Sequence, residues 1–141
     1  MAFTGNYACN AFKTGMMNGT FNFTSGTFKI ALYTNNATLD ATTAAYTSTG
    51  EVSASGYTAG GQALTITQTP TIGNSGTTVY ISFSNASWTG SIVARGALIY
   101  QSGGGDPAVC VLDFGADKTS STTFTVQFPT ATNTSAIIRI A

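Results

Sequence analysis

The stretch Phe28–Tyr33, with the sequence FKIALY, decides the fold class because its large apolar residues recur at every second position. Phe, Ile and Leu alternate there with Lys, Ala and Tyr, which is the period at which side chains leave opposite faces of a β-strand. The same alternation recurs further along the chain, at Leu64 and Ile66, at Val79, Ile81 and Phe83, and at Phe124, Val126 and Phe128. These segments are therefore predicted to be half-buried strands.

Two further segments, 92–100 and 108–114, are more continuously apolar, which is typical of strands covered on both faces. Residues 137–140 supply a last apolar run, and turn-forming residues separate the segments, most clearly at 74–76 and 102–107. Short strands that recur at intervals of roughly ten residues indicate an all-β fold. We expect residues 1–141 to form a single antiparallel β-sandwich or jelly roll of about eight strands.

The first twenty residues instead predict one short helix. Apolar side chains recur there at the three-and-four spacing of a helical face: Tyr7, Ala8, Ala11, Phe12 and Met16. Thr4 or Asn6 is the expected N-cap, and Gly19 is placed to end the helix. Residues 34–61 show little periodicity and predict a long arm or loop, of the kind that is often functional or covered by a partner.

The charge content excludes several classes of function. Of 141 residues only five are basic and five acidic, and there is no histidine. Without a positive field, binding to nucleic acid or to an anionic membrane is not expected. Without imidazole, the Ser-His-Asp and Cys-His arrangements are unavailable. No run approaches the ~20 apolar residues of a membrane span, and no export signal is visible at the amino terminus.

The remaining reactive side chains favour structural roles. Asp113 and Asp117 are close enough in sequence to share a calcium ion, but an aspartate bonded to its own turn is the preferred interpretation. Cys9 and Cys110 lack zinc-ligand spacing, and we expect two free, buried thiols rather than a disulfide. Arg95 interrupts an apolar run and is expected either to pair with Asp113 or to point outward. We therefore predict no catalytic residue, no metal, no cofactor and no small-molecule substrate.

Aromatic residues and the distribution of charge point to contacts with other chains. Five aromatic residues allow either a sugar-binding platform or, as we prefer, core and interface positions: Trp88, Tyr80, Tyr33, Tyr46 and Tyr57. No residue between Glu51 and Arg95 is charged. A free surface of that size usually carries more charge, so this region is expected to cover, or be covered by, another chain.

Seven segments carry a resemblance to a known family: ACNAFK at 8–13, TFKIALYT at 27–34, EVS at 51–53, GYTAGG at 56–61, ARGALIY at 94–100, AVCVLDFG at 108–115 and IIRIA at 137–141. With these segments the chain resembles a family of small structural proteins encoded by tailed bacteriophages, over most of its length. The resemblance implies a place in the virion, which is assembled in the cytoplasm of the bacterial host.

Within the particle, a non-enzymatic capsid decoration or cement protein is the favoured role, since a charge-poor, Thr-rich β-module suits attachment to a shell. Its expected partners are the major capsid protein and copies of itself, in a dimer or trimer. The expected interface residues are Tyr7, Phe12, Met16, Met17, Tyr46 and Tyr57. A tail- or fibre-associated adhesin is the alternative, and a glycan hydrolase with paired carboxylates is a third hypothesis.

Overall fold

The structure, a computed structural model that describes residues 3–141, is built almost entirely from short antiparallel strands. In chain order the described elements are β1 Tyr7–Ala8, α1 Asn10–Asn18, β2 Phe28–Tyr33, β3 Gln62–Leu64, β4 Ile66–Ile72, β5 Val79–Phe83, β6 Ala86–Thr89, β7 Val93–Gln101, β8 Ala108–Thr119, β9 Thr123–Val126 and β10 Ile138–Ile140. They form a five-stranded sheet in the order β1-β8-β7-β2-β3, a three-stranded sheet β10-β5-β4 and a two-stranded sheet β6-β9. The all-β, antiparallel prediction with one short helix is confirmed, but the described chain has ten strands in three sheets rather than about eight.

One long ribbon connects the five-stranded sheet to the two-stranded one. The pairing of β6 with β9 begins at Ala86 opposite Val126, and the same register continues to Ala94 opposite Lys118 in β7 and β8. At the junction the buried Ser120 holds the two strands together, since its hydroxyl donates to the carbonyl oxygen of Gly90 at 2.7 Å and accepts from the N–H of Ile92 at 3.2 Å. The two strands therefore remain paired with each other as they pass from one sheet to the other.

The main core lies between the five-stranded sheet and the two smaller sheets. Side chains from both sides join one buried apolar cluster, with Ile30, Ile99 and Val109 from the five-stranded sheet and Phe83 and Trp88 from the smaller ones. Burial of such side chains is worth about 1.5–3 kcal/mol each. This cluster is the main source of stability of the fold.

A second buried cluster covers the opposite face of the five-stranded sheet. It contains Phe3 and Cys9 from the amino-terminal segment and Leu39 from the long loop, packed on Tyr33 and Leu98 of the sheet. Strand β7 is therefore buried on both faces over most of its length, as predicted, whereas β8 is buried on both faces only at 108–111, and its last five residues are exposed. The prediction that β2 is half-buried is wrong, because the 34–61 loop covers the face that carries Ala31 and Tyr33.

The helix begins later than predicted. Tyr7 and Ala8 pair with Val111 and Cys110 at the sheet edge, so they belong to β1 and not to the helix. Cys9 is the N-cap and offers no side-chain cap, so the prediction of Thr4 or Asn6 is wrong. Asn6 instead accepts a hydrogen bond from the N–H of Asp113 at 2.6 Å, and Thr4 bonds the hydroxyl of Tyr7 at 2.7 Å. The amino-terminal segment is used to extend the sheet.

The predicted end of the helix is confirmed. Gly19 caps it with φ 82°, a left-handed conformation that glycine adopts without steric cost. Gly15 is buried, and a Cβ at that position would overlap the ring of Phe21. Glycine disfavours an isolated helix. At position 15, however, its lack of a side chain allows Phe21 to pack closely against the helix.

Residues 34–61 contain no strand beyond two isolated bridges, Tyr33 to Glu51 and Ala45 to Pro107. The segment is a loop that packs against the rest of the fold, with Ala37, Leu39 and Val52 buried. The N–H of Val52 donates to the carbonyl oxygen of Leu32 at 2.9 Å, and Glu51 bridges to Tyr33, so this part of the loop lies beside the end of β2.

Candidate contact surface

An exposed apolar surface lies where helix α1 meets the three-stranded sheet. Val79 in β5 stands opposite Ile72 in β4 and opposite Ile140 in β10, so the three side chains form one row across the sheet. Residues directly opposite one another in antiparallel strands leave the same face of the sheet. Their exposed fractions are 38%, 68% and 44% for Val79, Ile72 and Ile140 respectively.

This row continues the face of the sheet that is packed in the core. Val79 and Ile81 lie two residues apart on β5 and so point to the same side, and Ile81 is buried against the main cluster. The inner face of the sheet therefore extends past the core and ends in uncovered side chains. We call Met16, Ile72, Val79 and Ile140 the apolar face.

An apolar groove of about 210 Å³ lies between the helix and this row. The buried side chains of Phe12, Phe23 and Ile81 line it, together with exposed Met16 and Ile140. Met17 follows Met16 in the last turn of the helix and is 91% exposed. At 100° per residue it lies about 140° around the helix from buried Phe12, on the exposed side that carries Asn10, Lys13 and Thr14, so it is not part of the apolar face.

The strands beside the apolar face carry no charge. Residues 52–94, which include β4, β5 and the turn between them, contain no Asp, Glu, Lys or Arg. Lys13 on the helix and Arg139 on β10 are the nearest charged residues in sequence to the residues of the face. Arg139 donates from Nη1 to the carbonyl oxygen of Thr134 at 2.6 Å. Covering this surface would remove few ionic groups from water.

The six residues predicted for the interface do not form one surface. Phe12 and Met16 lie together at the groove, but Phe12 belongs to the core with 6% exposure, and Met17 projects from the opposite side of the helix. Tyr7 lies on edge strand β1, where it lines a second groove of about 260 Å³ shared with residues 137–139.

Tyr46 and Tyr57 lie in a different part of the fold, bonded to the carboxylate of Glu51. The two hydroxyls donate to its two oxygens at 2.7 Å each, and the N–H of Gly60 donates at 2.7 Å. Burial, with the hydrogen bond to Glu51 and its charge, raises the pKa of Tyr46 to about 12 and raises that of Tyr57 further. Both phenols therefore remain protonated donors, and their arrangement holds the 34–61 loop on the sheet.

Arg95 pairs with Asp113, which is one of the two roles that the sequence left open for it. The guanidinium also lies 5.6 Å from the centre of the Phe3 ring, within reach of a cation–π interaction. Burial raises the pKa of Asp113, but the N–H of Gly115 and the Arg95 guanidinium outweigh it, and the net pKa lies below the usual value. The Gly115 bond, at 2.8 Å, is the turn interaction preferred for this aspartate.

The aromatic residues, the two cysteines and the glycines at 103–105 occupy structural positions. Trp88 and Tyr33 are core residues, and Trp88 packs on Tyr57 with ring centres 5.9 Å apart, so the five aromatic residues do not form an exposed platform. Cys9 and Cys110 are free and buried, as predicted. The glycines at 103–105 lie in the β7–β8 hairpin loop, where the N–H of Gly103 donates to Asp106 at 2.7 Å.

Within residues 3–141 no three Cys, Asp or Glu side chains are grouped as metal ligands. In the same part of the chain, no helix is long and apolar enough to cross a membrane.

The sequence analysis missed Ile72, Val79 and Ile140. Alternation correctly placed Val79 on the same side as Ile81 and Phe83, but it did not reveal where the core ends along the strand. The absence of charge from 52 to 94 was the signal that pointed to this region. Comparison of the chain with protein-family models, with curated proteins and with solved structures finds no match.

Proposed function

We propose that this chain is a non-enzymatic structural protein of a bacteriophage virion, a capsid decoration or cement subunit that stabilises the shell by bridging major capsid subunits. The observation that carries the proposal is the apolar face beside a strand pair without charge. Interface centres are depleted in charged residues and enriched in methionine and aromatic residues. The face has this chemistry, with Met16 and three aliphatic side chains exposed together.

The resemblance to tailed-phage structural proteins supports a location in the virion, and the physical features of the surface support the way in which the protein binds there. A subunit that bridges two or more capsid subunits engages several sites at once and gains avidity, so each contact can be small. An uncharged, Thr-rich rim around an apolar centre suits such a contact. We further propose that partners are the major capsid protein and copies of the chain, with no nucleic acid, membrane or small-molecule substrate involved.

The three sheets support a finer description of the fold. We propose that it is a β-sandwich whose two layers are the five-stranded sheet and the pair of smaller sheets. The main cluster between them, and strands that pass from one layer to the other at Ser120, support this description.

Quantitative mass spectrometry of purified particles tests the proposal. Hundreds of copies per virion are expected for a shell protein, whereas a tail or fibre component would be present in a few to a few dozen copies. The low count would favour the adhesin alternative, and absence from particles would overturn a virion role.

Rebinding to shells depleted of the protein tests which surface is used. Ile72→Glu should reduce occupancy, because a carboxylate would have to be buried in an apolar contact. Val93→Glu is the matched control, since Val93 is 47% exposed and lies outside the apolar face. Equal binding of wild type and Ile72→Glu would show that the face is not the shell contact.

A further inference from the structure

We infer that the free edge of β9 binds an extended, acidic segment of another polypeptide chain, which adds a strand beside Thr123–Val126. This edge shares no residue with the apolar face, and its use does not depend on a virion role. Three features of the edge support the site: the direction of its backbone groups, the groove beside it and the charge of Lys118.

The backbone of β9 presents hydrogen-bonding groups on the side away from β6. The N–H of Gly90 donates to the carbonyl oxygen of Thr122 at 2.8 Å, which fixes the residues that bond across the β6–β9 register. In antiparallel strands these residues alternate with residues whose N–H and C=O point to the other side. Thr123 and Thr125 therefore point outward, and within residues 3–141 no strand pairs with β9 on that side.

The other edge strands of residues 3–141 are short, irregular or covered. Strands β1, β3 and β10 have two or three residues each, and β4 contains Pro70 and two register shifts. The loop before β3 covers the outer edge of β6. There Gln62 donates from Nε2 to the carbonyl oxygen of Ser87 at 2.8 Å, and Gly56 lies so close to that of Thr89 that a Cβ would overlap it.

Such devices prevent unwanted pairing of strand edges. Strand β9 pairs regularly with β6 over its whole length and contains neither a proline nor a register shift. Its edge is therefore the one in the described chain that remains open to an added strand.

A groove of about 460 Å³ lies beside this edge. The outward-pointing residues Thr123 and Thr125 line it, together with Gln127. Phe114, which lies in the β8 bulge at residues 114–117, also lines the groove, and its half-buried ring is 6.1 Å from that of Phe124. In strand addition, main-chain hydrogen bonds give affinity and pockets for alternate side chains give specificity. The edge supplies the first, and Phe114 offers an apolar contact for the second.

Lys118 gives the groove a positive charge. It is exposed, it lines the groove, and no acidic residue lines the groove with it. The one salt bridge within residues 3–141 joins Arg95 to Asp113, so Lys118 is not in an ion pair there. A carboxylate on the added strand complements this charge. A second copy of this edge is a poorer match, because residues 119–127 contain no Asp or Glu.

NMR titration of the full, nitrogen-15-labelled chain with the capped peptide Thr-Val-Glu-Val-Thr tests the inference. The peptide should shift the amide signals of residues 119–127 and slow the hydrogen exchange of Thr123 and Thr125. The peptide with Lys in place of Glu should bind about threefold more weakly, the effect of one exposed ion pair. Lys118→Glu should reverse this preference.

Thr125→Pro is the variant that closes the edge. Proline removes the outward N–H without removing a bond to β6, and edge strands tolerate it where the N–H faces solvent. The fold should therefore be retained, which circular dichroism will verify, and Thr123→Pro is the second variant of the same design. Each should weaken binding of the Glu peptide at least about tenfold, because the added strand loses a hydrogen bond and meets the proline ring. Ile72→Glu, on the apolar face, should leave the affinity unchanged.

Three results would overturn the inference. The first is the absence of shifts at residues 119–127, and the second is equal affinity of wild type and both proline variants for the Glu peptide. The third is a wild-type dimer that Thr125→Pro dissociates, since the occupant of the edge would then be a second copy. Equal affinity for the Glu and Lys peptides would overturn the acidic character of the partner.

Discussion

Glu51 holds a loop that has no regular secondary structure of its own. Its carboxylate receives hydrogen bonds from two tyrosine hydroxyls and one backbone N–H, all at 2.7 Å. A carboxylate acceptor makes such bonds stronger than those between neutral groups. The Tyr57 hydroxyl also accepts from the N–H of Leu32 in β2 at 2.9 Å, so the cluster links the loop directly to the sheet.

Replacing Glu51 should therefore destabilise the fold more than replacing one of its donors. We expect Glu51→Ala to lower the free energy of unfolding by about 3 kcal/mol, since three partly buried donors lose their acceptor. Tyr46→Phe removes one bond and should cost about 1 kcal/mol. Urea unfolding measures both. Asp117→Ala, at an exposed acid, is the control, and a Glu51→Ala cost no larger than that of the control would contradict this role.

Asp113 should make stability depend on pH in the acid range. Its pKa is lower in the folded chain than in the unfolded chain, so the unfolded state binds more protons as the pH falls. The stabilisation is complete above the unfolded value of about 4 and is lost as the pH falls through the folded value. In Asp113→Asn, the free energy of unfolding should fall less steeply between about pH 6 and pH 2.

Asp40 contributes in the same direction and is unchanged in that variant. Hydrogen bonds from the hydroxyl and the N–H of Thr42 lower the pKa of Asp40, so a residual acid dependence should remain in Asp113→Asn. Urea unfolding at a series of pH values measures the slope. Parallel curves for wild type and Asp113→Asn would show that folding does not lower the pKa of Asp113.

At the scale of elements, Gly61 fixes how the loop enters β3. Its φ is 72°, and a Cβ there would overlap the carbonyl oxygen of Ile30 in β2. Only glycine permits both the left-handed backbone and this approach to the neighbouring strand. The alignment of β3 with β2 therefore requires glycine at position 61.

Gly61→Ala should thus be far more damaging than alanine at a loop glycine of similar conformation. Gly104 has φ 65° and open space around it, so Gly104→Ala should cost only the backbone term of about 1 kcal/mol. We expect Gly61→Ala to cost more than about 3 kcal/mol, because backbone atoms must move. Thermal unfolding of the two variants measures the difference, and equal costs would show that β3 can shift freely.

The elements also show where sequence patterns succeed and where they fail. The alternation of apolar and polar residues located most strands, because on a half-buried strand every second side chain points to the core and is apolar. It failed for β2, where Ala31 and Tyr33 are covered by a distant loop that periodicity cannot reveal. It failed at Tyr7 and Ala8, since pairing with β8 at the sheet edge outweighed a spacing compatible with a helix. The exposed end of the row at Val79 depends on core boundaries, which are set by tertiary packing.

The whole molecule is organised around one sheet with an apolar layer on each face. The main cluster lies on one side, against the two smaller sheets, and the second cluster lies on the other side, under the 34–61 loop. Each layer contains one cysteine, Cys110 in the main cluster and Cys9 in the second. The two thiols can therefore report separately on the opening of the two layers.

We expect the two layers to unfold together, because they share strands β2, β7 and β8. Burial raises the pKa of Cys9 to about 11 and that of Cys110 to about 12, so neither thiol should react with iodoacetamide in the native state. Pulse labelling at increasing urea concentration, read by peptide mass spectrometry, should modify both at the same midpoint. The variant Glu51→Ala should shift both midpoints equally. Labelling of Cys9 at urea concentrations where Cys110 remains protected would instead show that the loop layer opens as an independent unit.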